Sequence, residues 1–285
     1  WVKNTAATST EDKSVVLLGV EYNGTTVIGD ATLNFALSVT DGDRDIYTSP
    51  DNLSVTLDVS HTGAGYQLSG TTADEVFVAS AGGDTITGGA GNDTVDYSNT
   101  TGGIGVTINL TSETDTVAAT AGGAAAGDTI MGIENVIGSQ YADTLTAVPG
   151  GSTLVGGKGD DSLTGGAGAD TFKWNLGDQG GVGLSLAAED NITDFGTGAD
   201  KIDLRDLLQG EHSNSVGAND LTNYLSITVA GTGPTATTTI NISTTGHVQD
   251  GLGAVDQQIL VNGDLTGGLT DQASIINALL QSGKL

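Results

Sequence analysis

Carboxylates recur at a fixed interval in this chain, each preceded by glycines. Gly88–Asp96, Gly156–Thr164 and Gly165–Lys173 all read G-G-x-G-x-D-x-U-x, with U apolar, and place Asp93, Asp161 and Asp170 at the sixth position. Weaker copies stand in phase with them. Gly82, Asp84 and Ile86 fall one step before the first, Glu75 and Phe77 one step earlier, and Asp143, Ser152, Asp161 and Asp170 follow one another at intervals of nine. Two blocks result, about 70–96 and about 138–173. Such a pattern offers oxygen ligands only. Carboxylates and glycine carbonyls on flexible loops, with two carboxylates per gap, suit Ca²⁺ better than Mg²⁺, which demands a tight octahedron and keeps its waters. Stacked aspartates without a cation would repel one another in every gap.

The spacing also dictates the elements that carry these groups. Within each step the first six residues must turn sharply, for which glycine supplies positive φ and uncovered carbonyls. The last three form a short strand whose apolar residue points inward. Successive turns alternate sides, so residues two steps apart lie above one another and the loops converge on shared gaps.

This nonapeptide resembles the signature of the RTX (repeats-in-toxin) family. The resemblance implies an all-β fold: a Ca²⁺-binding parallel β-roll with several Ca²⁺ ions, an N-terminal β-sandwich-like segment, and a C-terminal β-rich cap ending in a short helix. It puts calcium on the carboxylates of Asp84, Asp93, Asp143, Asp161 and Asp170, and on carbonyls of Gly82, Gly89, Gly91, Gly157, Gly159, Gly166 and Gly168. Glu75, Asp128 and Ser152 match the motif imperfectly, which implies weaker or absent sites.

Composition narrows the classes. Eight basic against 35 acidic residues give 8 − 35 = −27, so nucleic acid, which needs a basic surface, is excluded as a partner. Only 4% of the chain is aromatic while 45 residues are glycine, so the core is expected to be Val, Ile and Leu inside a tightly wound backbone. With no cysteine there is no disulfide, zinc–thiolate site or thiol nucleophile. No apolar run reaches membrane-spanning length. The start at Trp1, with no initiator Met or signal-peptide pattern, reads as a piece from the C-terminal part of something longer.

Three segments are expected. Residues 1–65 contain "SVVLLGVEY", "TLNFALSVTD" and "NLSVTLDVS", strand-length stretches broken by turn residues, and read as an Ig-like or sandwich segment. Asp41, Asp43 and Asp45 in "DGDRD" could wrap a cation or form a plain acidic turn. Residues 66–175 form the roll, with an insertion at about 97–137 that contains the strand Val106–Leu110; its Ala/Gly stretch could instead be a linker. Residues 176–285 cap the roll. There "DNITDFGTGADKIDLRDLL" resembles the segment closing the roll in type I secreted proteins, with Asp190, Asp194, Asp200 and Asp203 as further ligands or, more blandly, surface acids. Trp174 is expected to cap the open end of the roll. Alternation predicts strands at Tyr224–Val229, Thr237–Ser243 and Asp256–Val261. Thr270 or Asp271 can cap a final helix with Ile275, Ile276, Leu279 and Leu280 on one stripe, stopped by Gly283. That helix is either an ordinary packed terminus or, by resemblance, the uncleaved signal read by a type I secretion apparatus.

No H-E-x-x-H is present, "GLSLA" falls one residue short of a G-x-S-x-G elbow, and His61, His212 and His247 are far apart, so no catalysis is expected here. The resemblance implies a structural and secretion module of an extracellular, cell-surface adhesin. Its partners would be the secretion apparatus and a host or biofilm surface ligand. The tail of an RTX lipase or protease, or a Ca²⁺-dependent sugar-, peptide- or ice-binding module, stands as the alternative. The ice reading rests on a row of Thr85, Thr94, Thr129, Thr144, Thr153 and Thr171.

Overall fold

The computed structural model describes residues 66–285 except 81, 101, 111–116, 119–125, 184, 209–220 and 249–253, together with six strands upstream. Those six pair antiparallel: β1 (Val2–Lys3) with β2 (Val16–Leu17), β3 (Ala31–Phe35) with β6 (Leu53–Leu57), and, between the latter two, β4 (Ser38–Thr40) with β5 (Ile46–Thr48). Asp41, Asp43, Asp45, His61 and His212 lie outside the described residues.

From Gln67 the chain winds in short coils. The strands are β7 (Gln67–Ser69), β8 (Val76–Val78), β9 (Thr85–Thr87), β10 (Thr94–Asp96), β11 (Thr107–Asn109), β12 (Val117–Ala118), β13 (Thr129–Met131), β14 (Asn135–Ile137), β15 (Thr144–Thr146), β16 (Thr153–Val155), β17 (Ser162–Thr164) and β18 (Thr171–Lys173). β19 (Ala188–Ile192) and β20 (Lys201–Asp203) continue the winding past the last glycine repeat. One face is a six-stranded sheet, β8-β10-β14-β16-β18-β20, paired in parallel throughout. The other face carries β7-β9-β13, extended by the antiparallel β12, and then β11-β15-β17-β19 in the next sheet. β10 pairs with β14 and β9 with β13, so both faces bridge residues 97–128.

Each three-residue strand turns one side chain inward, and register stacks these residues into ladders. Phe77, Val95, Val136, Leu154, Phe172 and Ile202 pair in sequence along one face; Ile108, Leu145, Leu163 and Ile192 do so along the other. All are buried. A period of two over three residues points the middle side chain of each strand into the core. Phe172 and Phe195 meet with ring centroids 6.1 Å apart.

At β19 the architecture changes. Its far edge pairs in parallel with β23 (Gln257–Asn262), which leads antiparallel to β22 (Thr237–Ile242) and β21 (Leu225–Ala230). The three strands fall within a residue of their predicted positions. Trp174 is corrected by this continuation. It does not cap an open end but lies buried inside, because β19 and β20 extend the stack beyond it. The final helix, α1 (Gln272–Gln281), is capped by Asp271, whose carboxylate accepts from Ser274 N and Oγ at 2.9 and 2.7 Å. It buries Ile275, Ile276 and Leu279, whereas Leu280 stays 37% exposed at an apolar cavity beside β20.

Candidate metal centre

The ladders of apolar residues fix ladders of acids two positions earlier. Glu75 N donates to Asp93 Oδ1 at 2.8 Å, Asp143 N to Asp161 Oδ1 at 2.8 Å and Ser152 N to Asp170 Oδ1 at 2.8 Å, in each case 18 residues away. Tyr66 N donates to Asp84 Oδ1, Asp84 N to Asp128 Oδ1 and Asp93 N to Glu134 Oε2, all at 2.7 Å. Beyond the repeats, Asp161 N reaches Asp190 Oδ1 at 2.8 Å and Asp170 N reaches Asp200 Oδ1 at 3.1 Å. Stacked ladders of acids result, and in them Asp84, Asp93, Asp128, Glu134, Asp143, Asp161, Asp170, Asp190 and Asp200 each accept on one oxygen from the backbone of the preceding coil.

The second oxygen separates these acids into two kinds. Asp93 Oδ2, Asp161 Oδ2 and Asp170 Oδ2 are buried without a hydrogen-bond partner. These are the sixth residues of the three complete nonapeptides. Elsewhere the second oxygen is taken. Ser80 N and Oγ donate to Asp84 Oδ2 at 2.9 and 3.0 Å. Ser139 N donates to Asp143 Oδ2 at 2.5 Å, with its hydroxyl on Oδ1 at 2.8 Å. Thr71 holds Glu75 through both N–H and hydroxyl. Asp128 Oδ2 accepts the buried Tyr97 hydroxyl at 2.9 Å, and Asp190 Oδ2 accepts Trp174 Nε1 at 2.6 Å and Gln257 Nε2 at 2.9 Å. Asp200 Oδ2 takes Gly196 N, and Asp194 takes Gly165 N and Gly166 N. Asp203 is engaged by the Arg205 guanidinium. Ser152 Oγ receives Val148 N at 3.3 Å.

Electrostatics do not follow this division, since burial raises carboxylates of both kinds. Burial pushes Asp170 up to about 6 and raises Asp93; Asp161 is raised by burial and then by the neighbouring Asp190 charge. Burial raises Asp143 and takes Asp128 to about 6. Glu75 runs the other way, held down by the Thr71 hydroxyl and then its N–H. The ion pairs Lys173–Asp206 and Arg205–Asp203 lie outside the set of Asp93, Asp161 and Asp170, none of which has a basic partner in hydrogen-bond reach of its second oxygen.

The glycines make this packing possible in two ways. A Cβ at Gly156 would stand 2.1 Å from Asp161 Oδ2, one at Gly88 2.6 Å from Asp93 Oδ2, and one at Gly165 2.6 Å from Asp170 Oδ2. The carboxylate thus folds back over the first glycine of its own repeat. The loop positions adopt positive φ: +135° at Gly82, +117° at Gly89, +142° at Gly91, +99° at Gly157, +123° at Gly159 and +88° at Gly166. Gly168 instead serves close approach, since a Cβ there would lie 2.2 Å from Gly151 N.

A hard cation fits this donor set. Three buried, unpartnered carboxylate oxygens lie in glycine loops, and a bound cation would supply the missing partner and countercharge. No three acidic or histidine side chains converge among the described residues, so main-chain carbonyls must complete any coordination shell. Sequence reasoning missed the Ser and Thr partners at the second loop position, although a hydroxyl four residues before each acid was visible. It also missed Tyr97 and Gln257, whose partners are too remote in sequence to be read. An apolar cavity of about 530 Å³ lies apart from the glycine loops, between β20 and α1, lined by Ile202, Leu204, Leu208, Leu221 and Leu225.

No helix among the described residues is long and apolar enough to cross a membrane. A search of curated proteins gives no match. Among solved structures, a subunit of the Azotobacter vinelandii mannuronan C5-epimerase is 19% identical, with a TM-score of 0.29, covering 75% of this chain and 80% of that one. The extracellular lipase LipA from Serratia marcescens is 13% identical, with a TM-score of 0.23, covering 75% of this chain and 40% of the lipase. Residues 60–223, more than half of the chain, match the family described as peptidase M10 serralysin C terminal. The chain therefore belongs to the serralysin C-terminal family, a structural repeat module of RTX type that implies Ca²⁺ binding and is associated with type I secreted, extracellular proteins.

Proposed function

We propose that this chain is the calcium-triggered folding and secretion module of a large RTX adhesin, working at the bacterial cell surface in adhesion and biofilm formation. The observation that carries this reading is the set of orphaned oxygens on Asp93, Asp161 and Asp170. An unpaired buried polar atom costs about 1–3 kcal/mol, and more when charged. At cytosolic calcium these sites are empty and a chain of net charge −27 repels itself, which keeps it open for export. Outside, calcium near ~10⁻⁴ to 10⁻³ M fills sites of this class, and binding becomes folding free energy. Gly82, Gly89, Gly91, Gly157, Gly159, Gly166 and Gly168 are the carbonyl donors in this reading. The antiparallel strands upstream of Tyr66 belong to an Ig-like segment, and the region ending in α1 carries the secretion signal.

Far-UV circular dichroism during a Ca²⁺ titration tests it, with Mg²⁺ as control. A cooperative gain of β signal between micromolar and millimolar Ca²⁺, absent with Mg²⁺, is expected. A spectrum already folded in chelator and unmoved by calcium refutes the switch. The family itself favours a second reading, the secretion tail of an RTX protease or lipase. The coding sequence ahead of Trp1 separates the two: sandwich repeats support adhesion, and H-E-x-x-H or G-x-S-x-G supports an enzyme. The ice-binding alternative loses its array, because Thr94, Thr153 and Thr171 lie on one face and Thr85, Thr129 and Thr144 on the other.

A further inference from the structure

Within the two glycine-repeat blocks, the residue at the second loop position divides the six coils in which both it and the sixth-position acid are described; past the blocks, Gly196 precedes Asp200 by the same four residues, and there its N–H turns onto Asp200 Oδ2. Where it is Thr71, Ser80 or Ser139, its N–H and hydroxyl donate to the acid of the same coil, Glu75, Asp84 or Asp143. Where it is Gly89, Gly157 or Gly166, one oxygen of Asp93, Asp161 or Asp170 is left bare. All six acids are buried to a similar degree, so exposure does not explain the difference. Nor does the ladder bond explain it, because Asp84 and Asp143 accept a backbone N–H from the preceding coil as Asp93, Asp161 and Asp170 do.

We infer that in the two repeat blocks the second loop residue is a cation selector: Ser or Thr there satisfies the carboxylate internally and makes the coil metal-independent, whereas Gly89, Gly157 and Gly166 leave an oxygen for a cation to satisfy. The inference rests on the calcium reading above and sharpens it, assigning Ca²⁺ to Asp93, Asp161 and Asp170 and withholding it from Glu75, Asp84 and Asp143. The physical basis is competition for one lone-pair site. A hydroxyl and an N–H already within 2.5–3.0 Å of the carboxylate must be displaced before a divalent ion can enter, and the hydroxyl then loses its own buried partner. Glycine has no hydroxyl to offer, and the N–H groups of Gly89, Gly157 and Gly166 do not reach the bare oxygen of their own coil's acid. The positive φ at Gly89, Gly157 and Gly166 is closed to Ser and Thr except with strain, so the two loop types are alternatives in backbone as well as side chain.

Calcium stoichiometry of the full chain, measured by equilibrium dialysis and by calorimetry, tests the selector. Asp143→Asn should bind as many ions as the unaltered chain, and Asp161→Asn at least one fewer. In the opposite direction, Ser139→Gly combined with Tyr141→Gly turns residues 138–143 into a complete G-G-x-G-x-D and should add one ion. A companion measurement on metal-free protein guards against misfolding. Asp161→Asn should be at least as stable as the unaltered chain in chelator, whereas Asp143→Asn should be less so, because it breaks a satisfied network. Loss of an ion in Asp143→Asn, or no gain in the double variant with its circular dichroism intact, overturns the selector while leaving calcium binding standing. An unaltered chain that binds no Ca²⁺ overturns both.

Discussion

Asp170 and Asp161 each place a carboxylate where neither water nor a donor reaches its second oxygen. In the metal-free fold such a group holds its proton to higher pH than in the unfolded chain, where an aspartate titrates near about 3.9. Between those values the folded state binds more protons at this group, so the stability Asp170 contributes is greatest below about 3.9 and is lost as pH rises through about 6. Asp161 and Asp93 act in the same direction. Acidifying chelated protein from pH 7.5 to about pH 5 is therefore expected to increase its β signal. With saturating Ca²⁺ the cation replaces the proton, and this acid gain should vanish; a chelated sample that loses structure over the same range contradicts the account. The glycines give a second test. Gly157→Ala faces both positive φ and a Cβ 2.1 Å from Ser139 O, whereas Gly166→Ala faces positive φ with its nearest atom at 3.9 Å. Left-handed backbone alone costs about 1–2 kcal/mol. Gly157→Ala should lower the calcium-loaded melting temperature more than Gly166→Ala, and equal losses would show that the close stacking of the loops is not limiting. The sixth-position acids were legible because their spacing is periodic. Their partners were not, because a hydroxyl's target depends on loop conformation, and the Tyr97–Asp128 contact spans 31 residues of insertion.

At the scale of elements, the roll is a stack with two ends, and sheet edges left open invite pairing with other chains. The C-terminal region answers this locally. Ile202 N, on β20 at the end of one face, donates to Lys284 O at 2.8 Å. On β21, the edge of the other sheet, the Gln272 side chain both accepts from Ile227 N and donates to Ile227 O, each at 2.7 Å, imitating a neighbouring strand. Helix α1 holds these closures in place through Ile275, Ile276 and Leu279. Ile276→Ala should cost about 2–5 kcal/mol by the cavity it leaves. Thermal unfolding at saturating Ca²⁺ should register that loss without change in the number of ions bound, and a variant that melts normally would mean the helix is an ornament to the fold. The helix, its Asp271 cap and the three strands before it were readable from periodicity and turn chemistry. The capping roles of Gln272 and Lys284 were not, since a side-chain amide or a single backbone carbonyl reaching a strand edge leaves no periodic trace.

At the scale of the whole molecule, the decisive quantity is how much of the stability belongs to calcium. A site at a hundredfold excess of free ion over its Kd contributes about 2.7 kcal/mol, so three such sites together supply about 8 kcal/mol. That is comparable to the entire stability of a typical domain, about 5–15 kcal/mol. Removing the ions from a chain of net charge −27 with one apolar residue per strand should therefore release the roll rather than loosen it. Small-angle scattering would see the change, since a fully unfolded chain of this length has a radius of gyration of about 59 Å and a compact one about 19 Å. The same arithmetic bears on export. If the first-emerging coils fold on extracellular calcium and cannot slide back, translocation gains a direction from the gradient. Replacing Asp161 and Asp170 together by alanine removes two of the three proposed sites without touching α1 or the charges near it. Pulse-chase measurement in a host with a type I apparatus should then show slower appearance of the chain outside the cell, with the unaltered chain slowed to the same rate when external calcium is chelated. An export rate indifferent to both treatments would leave the roll as a scaffold built after secretion, and the gradient would have no part in driving it.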